Sequence, residues 1–499
     1  MKKYVVALDA STASVRAILF DHDGRIVADS ATEFTQYYPQ SGWVEHDPLE
    51  ILNKQLEMLR TCVNKAKIEP SQIAAIGITN QRETTVIWDR ISGMPIYKAI
   101  VWQDRRTAEV CQDLKAQGFE EYVKENTGLV LDSYFSGTKI AWILDHVEGA
   151  RTRAERGELL FGTIDTWLIW NLTGGKAHVT DVSNASRTLL FNIKTFAWDE
   201  KLLTKLRVPS SVLPEVRKSS EIYGYTTSSV FGDVQIPIAA SAGDQQASLF
   251  GQACFTSGMV KCTYGTGASL MMNTGSEPIF SKNGLLTTVA CQVGDERQYA
   301  IEGLIFVSAQ VVKWLRDELQ LIQSADETES AANEVENNDG VYLVPAFTGL
   351  AVPYWDQFAR GTLIGMTLRT GRSYVIRAAL ESICYQIKDC IDAMRIDSKI
   401  DIREIRVDGG ASKNNFVMQF QADLLRVPVA RPLVVESTAR GAAFLAGLAV
   451  GFWESKAELQ DSFALESKFE PVMTEAIAVK NYEGWKKAVS RSRDWADSN

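Results

Sequence analysis

The sequence predicts an α/β protein made of two similar domains. Three observations carry this. A chain of 499 residues exceeds what one hydrophobic core can serve, since cores stop growing at roughly 250–300 residues. Short apolar runs bounded by small and polar residues alternate with stripes of helical period. A unit of strand, small-residue turn and strand at residues 4–20 also returns at residues 259–273. The repeat places a boundary near residues 250–257 and divides the chain into domains 1–252 and 253–499.

Each element follows from its own residues. The apolar run Tyr4-Val5-Val6-Ala7-Leu8 is a buried strand, residues 9–15 are a turn of small polar residues, and Arg16 to Asp21 is a second strand. Asp21-His22-Asp23-Gly24 then turns the chain into a third strand from Ile26. A helix starts at Asp47, with Pro48 at its first position and Glu50 placed to close a capping box. Its apolar stripe is Leu52, Leu56, Leu59 and Val63. Ile73 to Ile78 is a buried strand running out into Thr79-Asn80-Gln81-Arg82-Glu83-Thr84, and Thr85 to Trp88 is another strand. In the second domain Met259–Thr263 and Leu270–Asn273 flank the turn Tyr264-Gly265-Thr266-Gly267. A long helix over about 374–394 carries Ile376, Leu380, Ile383, Ile387 and Met394 on one face, and the acidic stretch Asp326 to Asp339 reads as a solvated surface segment.

Composition narrows the function class. The chain is 45% hydrophobic and 23% charged, with a net charge of −10. An acidic surface does not suit nucleic acid or anionic lipid, both of which call for a basic face. The longest apolar stretch, Gly441 to Phe452, falls short of the roughly 20 residues that span a bilayer. The N-terminal apolar run is too short for a signal segment and has no small-residue cleavage site. The expectation is a cytoplasmic protein with no nucleic-acid partner and no stable membrane insertion. Seven scattered cysteines with no C-x-x-C pair, and four histidines without ligand spacing, point to reduced thiols rather than disulfides or zinc.

Three turns rich in Gly, Ser and Thr follow strands: residues 9–14, Tyr264 to Gly267, and Asp408-Gly409-Gly410-Ala411-Ser412. Backbone N–H groups in such turns can approach phosphate oxygens with no Cβ in the way, although a plain tight turn explains each one singly. None ends in Gly-Lys-Ser/Thr, so none is a Walker A loop. Asp244 follows the apolar run Ile236 to Ala242 and stands where a carboxylate can accept a hydroxyl proton, or else cap a helix. Arg82-Glu83 offers a donor fork beside an acceptor, suited to neighbouring hydroxyls, or else is an exposed ion pair. Trp102 and Tyr134 offer an apolar wall and a phenolic hydroxyl, or else core packing.

Longer motifs join these pieces. Gly77-Ile78-Thr79-Asn80-Gln81-Arg82-Glu83-Thr84, Gly42 to Pro48, Phe161 to Trp167, Asn184-Ala185-Ser186-Arg187-Thr188, Gly243-Asp244-Gln245-Gln246, Thr263 to Gly267, Arg406 to Gly410 and Gly447 to Trp453 together resemble the FGGY family of carbohydrate kinases, in family order along nearly the whole chain. The resemblance implies two ribonuclease-H-like domains of the actin-like ATPase superfamily with the active site in the cleft between them. It implies ATP-dependent phosphorylation of glycerol to sn-glycerol 3-phosphate, with ATP and Mg²⁺. Arg82, Glu83, Tyr134, Asp244 and Gln245 would hold glycerol, Trp102 would pack on its carbon chain, and Asp244 would be the general base. Asp9 would organise Mg²⁺ through water, with Asp244 beside it. Thr12, Ser14, Arg16 and Thr266 would face the terminal phosphates, with Ala309, Lys313, Gly410 and Asn414 further along the nucleotide. A homodimer or homotetramer is the family expectation.

Departures from the family pattern cluster on the donor side. Ala10, Ser11 and Ala13 stand for Gln, Gly and a hydroxyl residue, Ala309 for a glycine and Lys313 for a glutamine. On the acceptor side Ser269 stands for a phenylalanine that usually walls the glycerol pocket. Ser269 motivates a second reading, a family kinase for a larger polyol or ketose. The altered phosphate turn motivates a third, a polyol- or nucleotide-binding protein with weakened catalysis.

Overall fold

A computed structural model describes residues 2–496. Its main feature is a single thirteen-stranded mixed sheet. The strands are β1 (Tyr4–Ala10), β2 (Ser14–Phe20), β3 (Ile26–Glu33), β4 (Ile73–Asn80), β5 (Ser220–Tyr225), β6 (Pro237–Gly243), β7 (Met259–Tyr264), β8 (Ala268–Gly275), β9 (Leu286–Val293), β10 (Glu296–Ile305), β11 (Glu404–Asp408), β12 (Val429–Pro432) and β13 (Leu465–Phe469). They lie in the order β13-β12-β11-β7-β8-β10-β9-β5-β6-β4-β1-β2-β3.

That order holds one motif twice. In β3-β2-β1-β4-β6 an antiparallel meander continues into two parallel strands. In β10-β8-β7-β11-β12 the same pattern recurs. Each is the ribonuclease-H-like arrangement, so the repeat in the sequence is a repeat of topology. The halves join at one bridge, Ser220 to Val293, between β5 and β9. The first turn is tighter than the sequence implies. Asp9 pairs with Arg16 and Ala10 with Val15, so the ladder takes in both turn flanks and leaves residues 11–13 outside the strands.

Six helices matter below: α1 (Pro48–Ala66), α2 (Asp244–Gly251), α3 (Glu327–Asn333), α4 (Arg372–Ser398), α5 (Ser437–Ala449) and α6 (Glu475–Ser492). Asp47 caps α1, accepting from Leu49 N and Glu50 N. The capping box is only half made, because Glu50 turns away to accept from Thr35 N and Oγ1 at 3.2 Å. Leu52, Leu59 and Val63 are buried as the stripe requires, while Leu56 sits at its edge. α4 outruns its expected span and runs through the core of the second half, with all five predicted stripe residues buried.

α5 lies in the second half of the sequence but packs on β1, β4 and β6 of the first. Ala442, Ala443, Phe444 and Trp453 share a core with Val5, Ala7, Ile18 and Phe20. The crossing with α2 is close enough to demand glycine. A Cβ on Gly441 would lie 1.8 Å from the Ala247 carbonyl oxygen, and one on Gly251 1.9 Å from that of Ser437. Among the described residues no helix is long and apolar enough to cross a membrane, and all seven cysteines are buried and unpaired.

Candidate active site

β1, β4 and β6 are parallel neighbours, so their C-terminal ends meet on one edge of the sheet. That edge is where open α/β sheets bind ligands. It gathers Asp9, the segment after Asn80, and Asp244 at the first position of α2, although these lie far apart in sequence.

The acceptor end is a network of charge. Asp244 Oδ1 lies 3.0 Å from Arg82 Nε and accepts from Gln245 N at 2.7 Å, with the side chain 30% exposed. Arg82 Nη2 donates to Glu302 Oε1 at 2.7 Å and Nη1 to Gln246 Oε1 at 3.2 Å. Glu83, at φ 63°, accepts from Arg187 Nε at 2.7 Å. Arg82 and Glu83 are therefore not an exposed ion pair. Both are buried, 3.9 Å apart, and each has a different main partner. Burial alone would raise Glu302, but Arg187 and Arg82 overcome it and hold the carboxyl at about 2.

Trp102 and Tyr134 stand together with ring centroids 5.3 Å apart, and Trp102 Nε1 donates to Thr12 Oγ1 at 3.0 Å. Gln245 Oε1 accepts from Lys261 Nζ. The same ammonium lies 3.2 Å from Thr263 Oγ1, 3.3 Å from the Ser269 carbonyl oxygen and 3.5 Å from Ser269 Oγ. The Ser269 position is thus lined by polar atoms. Burial pulls Lys261 below the usual lysine range.

The donor end starts at Asp9. Burial raises its carboxyl to about 6, with the Asp244 and Glu436 carboxylates adding to the rise while Ser11 and Arg16 oppose it. Ser11 Oγ donates to Asp9 Oδ1 at 2.8 Å, so the residue standing for a glycine supports the acid beside it. Arg16 Nη1 reaches Glu436 Oε2 at 3.1 Å, and Ser14 is half-buried opposite Glu33 at the start of β2. Thr266 is exposed, and its carbonyl accepts from Ser308 N and Gln310 N, while the Gly265 carbonyl accepts from Ala309 N at 3.0 Å.

Ala309, Lys313, Gly410 and Asn414 line one cavity of about 620 Å³. One face of the acidic stretch lines it too, while Asp326, Glu334, Glu336 and Asp339 are exposed as expected. Thr328, Ala331 and Ala332 of α3 are buried, while Asp326, Thr328, Glu329, Ser330 and Asn333 face the cavity. The polar residues there have local work. Thr328 Oγ1 accepts from Asn414 Nδ2 at 3.1 Å, and Glu329 accepts from Asn415 N at 2.8 Å.

The structure therefore brings most of the expected residues into two groups. Arg82, Glu83, Trp102, Tyr134, Asp244 and Gln245 form one with Asp9, and the cavity residues form the other. Sequence reasoning misses Glu302 and Lys261 and gives Arg187 no role. A signal exists, since each of the first two is a lone charge inside an apolar strand, Tyr299-Ala300-Ile301-Glu302 and Met259-Val260-Lys261-Cys262. Among the described residues no three His, Cys, Asp or Glu side chains form a metal cage. Asp9 and Asp244 repel one another, so a hydrated divalent cation held also by phosphate oxygens suits the pair.

Comparison with known proteins finds two family models. The N-terminal domain of the FGGY family of carbohydrate kinases matches residues 4–251, and its C-terminal domain residues 260–450. A glycerol kinase of Alkaliphilus oremlandii is 58% identical over 499 residues, covering 100% of this chain and 99% of that protein. One of Caldanaerobacter subterraneus is 59% identical over 497 residues, covering 100% of both. Among solved structures, Plasmodium falciparum glycerol kinase with ADP has a TM-score of 0.93 at 37% identity, covering 98% of each chain. A gluconate kinase from Lactobacillus acidophilus shares the fold at 22% identity and a TM-score of 0.88, over 98% of each chain.

Proposed function

The chain belongs to the FGGY family of carbohydrate kinases, and we propose that it transfers the terminal phosphoryl group of ATP to glycerol, giving sn-glycerol 3-phosphate. The carrying observation is full-length identity of 58–59% to proteins named glycerol kinase. The domains of this reading are 1–252 and 253–499, and its setting is a cytoplasmic homodimer or homotetramer.

Arg82 and Glu83 hold neighbouring hydroxyls of glycerol as donor and acceptor, with Gln245 and the Tyr134 hydroxyl beside them and Trp102 against the carbon chain. Asp244 accepts the proton of the primary hydroxyl. The hydroxyl oxygen bonds to the γ-phosphorus, the bond from that phosphorus to the β–γ bridging oxygen breaks, and ADP leaves with the electron pair. Thr266, Thr12 in the first turn, and Ser14 and Arg16 at the start of β2 face the phosphates. Ala309, Lys313, Gly410 and Asn414 receive the rest of the nucleotide. Asp9 and Asp244 would hold Mg²⁺, which would supply positive charge to the phosphate oxygens.

A second reading, a kinase for a larger polyol or ketose, draws on Ser269, whose short side chain leaves room where the family usually has a ring. ADP release with MgATP across a panel of polyols and ketoses, with the product identified by phosphorus NMR, separates the two. The first expects glycerol to have the highest kcat/KM. A longer substrate well above glycerol would establish the second. Glycerol binding without product at high enzyme concentration would leave a binding protein with weakened catalysis.

A further inference from the structure

The floor of the acceptor site is a closed ring of alternating charge. Arg82 Nη2 donates to Glu302 Oε1 at 2.7 Å and Arg187 Nε to Glu83 Oε1 at 2.7 Å, while Glu302 Oε2 lies 3.0 Å from Arg187 Nη1 as a charge contact without hydrogen-bond geometry. Glu83 Oε1 closes the circuit at 3.9 Å from Arg82 Nε, and no member is more than 4% exposed. Two positive and two negative groups leave the ring neutral, which is how charge survives burial.

The ring has two properties that stability alone does not require. A buried ion cluster is often no more stable than apolar packing of the same volume, so what it adds is fixed orientation. It is also built across the molecule. Arg82, Glu83 and Arg187 belong to the segment that carries the acceptor residues, whereas Glu302 stands on β10, beyond the β5–β9 bridge. Glu83 is turned into the ring by its left-handed backbone, and its carbonyl is pinned by Ser136 Oγ at 2.8 Å and Thr85 Oγ1 at 3.1 Å. Arg187 also faces the Tyr134 ring, 5.9 Å from its centroid.

We propose that Glu302 and Arg187 are positioning residues of the acceptor site. They set the plane of the Arg82 guanidinium and the aim of the Glu83 carboxylate, and Glu302 makes that setting depend on how the second half of the molecule sits against the first. The inference rests on the reading of Arg82 and Glu83 as the glycerol clamp.

The test is steady-state kinetics of the full chain with glycerol and MgATP, comparing the parent with Glu302→Gln, Glu302→Asp and Arg187→Lys. Glu302→Gln keeps the shape and removes the charge. It is expected to raise the KM for glycerol at least tenfold while the KM for ATP stays within twofold. Glu302→Asp restores the charge on a shorter arm and is expected to recover part of the loss. Arg187→Lys keeps the charge but loses the Nε–H donor to Glu83, and is expected to raise the glycerol KM about fivefold. It serves alone if Glu302→Gln does not fold. Folded variants with glycerol KM and kcat within twofold of the parent would overturn the proposal, as would equal losses for both substrates. Failure of both Glu302→Gln and Arg187→Lys to fold would mark the ring as a folding element and overturn it too. No turnover by the parent would instead sink the reading of the site.

Discussion

Ser11 shows how a single residue can offset a departure from a family pattern. A glycine at that place offers no side chain, whereas the serine hydroxyl here donates to Asp9, whose carboxyl is already raised by burial. A hydrogen bond to a charged group is worth about 1.5–3 kcal/mol. Ser11→Ala is therefore expected to raise the KM for MgATP about tenfold or more, with the glycerol KM within twofold, in initial-rate assays. An unchanged KM for MgATP would mean that Ser11 does not support Asp9 in the working enzyme. At this scale much of the site is legible in the sequence itself. Asp9, Arg82, Glu83 and Asp244 stand just where apolar runs end, and strand ends on one sheet edge must converge. Glu302, Lys261 and Arg187 are not legible in the same way, because their roles arise from contacts with partners distant in sequence. A lone charge in an apolar strand is the available sign. The acidic stretch is legible only on its solvent side: Asp326, Glu334, Glu336 and Asp339 are exposed, but the contact of Glu329 with Asn415 N at the start of a helix comes from a distant partner.

At the level of elements, the crossing of α2 and α5 and the docking of α6 each rest on one requirement. Helices this close leave no room for a methyl group, since the Cβ of Gly441→Ala would enter the Ala247 carbonyl at 1.8 Å. The variant is expected to lose about 3 kcal/mol or more, as overpacking does, read as a lowered urea midpoint or loss of soluble protein. Parent-like stability would mean that the helices separate at little cost. α6 docks on α4 through Asp389, which accepts from Tyr482 Oη at 2.5 Å and Trp485 Nε1 at 2.9 Å. Burial raises its carboxyl from 3.8 to about 6. The folded state then holds its proton more tightly than the unfolded chain. That contribution is full below about pH 4 and is lost as the pH rises through 6, up to about 3 kcal/mol. Asp389→Asn cannot ionise, so its stability relative to the parent is expected to improve between pH 4.5 and pH 8. A gap between the two urea midpoints that ignores pH would contradict this. The pattern of strands and of α4 is plain in the sequence, but the seating of α5 on the other half's sheet is not. Periodicity marks a buried face without naming what covers it.

For the whole molecule, two copies of one topology share a sheet, a helix crossing and a buried ring of charge, and Arg82 and Gln245 of the first copy meet Glu302 and Lys261 of the second. The Arg16–Glu436 pair also spans the two copies, whereas the cavity of about 620 Å³ is lined by the second copy alone. Two lobes around a reaction that must exclude water are expected to close on their ligands. Small-angle scattering should give a smaller radius of gyration with glycerol and a non-hydrolysable ATP analogue than without them. Equal radii would argue for a cleft that is already closed. The chemistry proposed for the site turns on Asp244 taking the proton of glycerol as the phosphoryl group arrives. Its most direct test is glycerol-dependent ADP release with MgATP by the parent and by Asp244→Asn, which keeps the side chain's size and removes the base. General-base catalysis is worth roughly 10²–10⁴-fold. Ready turnover by the parent and a loss in kcat of that order in a folded variant are expected. Turnover by Asp244→Asn within tenfold of the parent would contradict this role of Asp244.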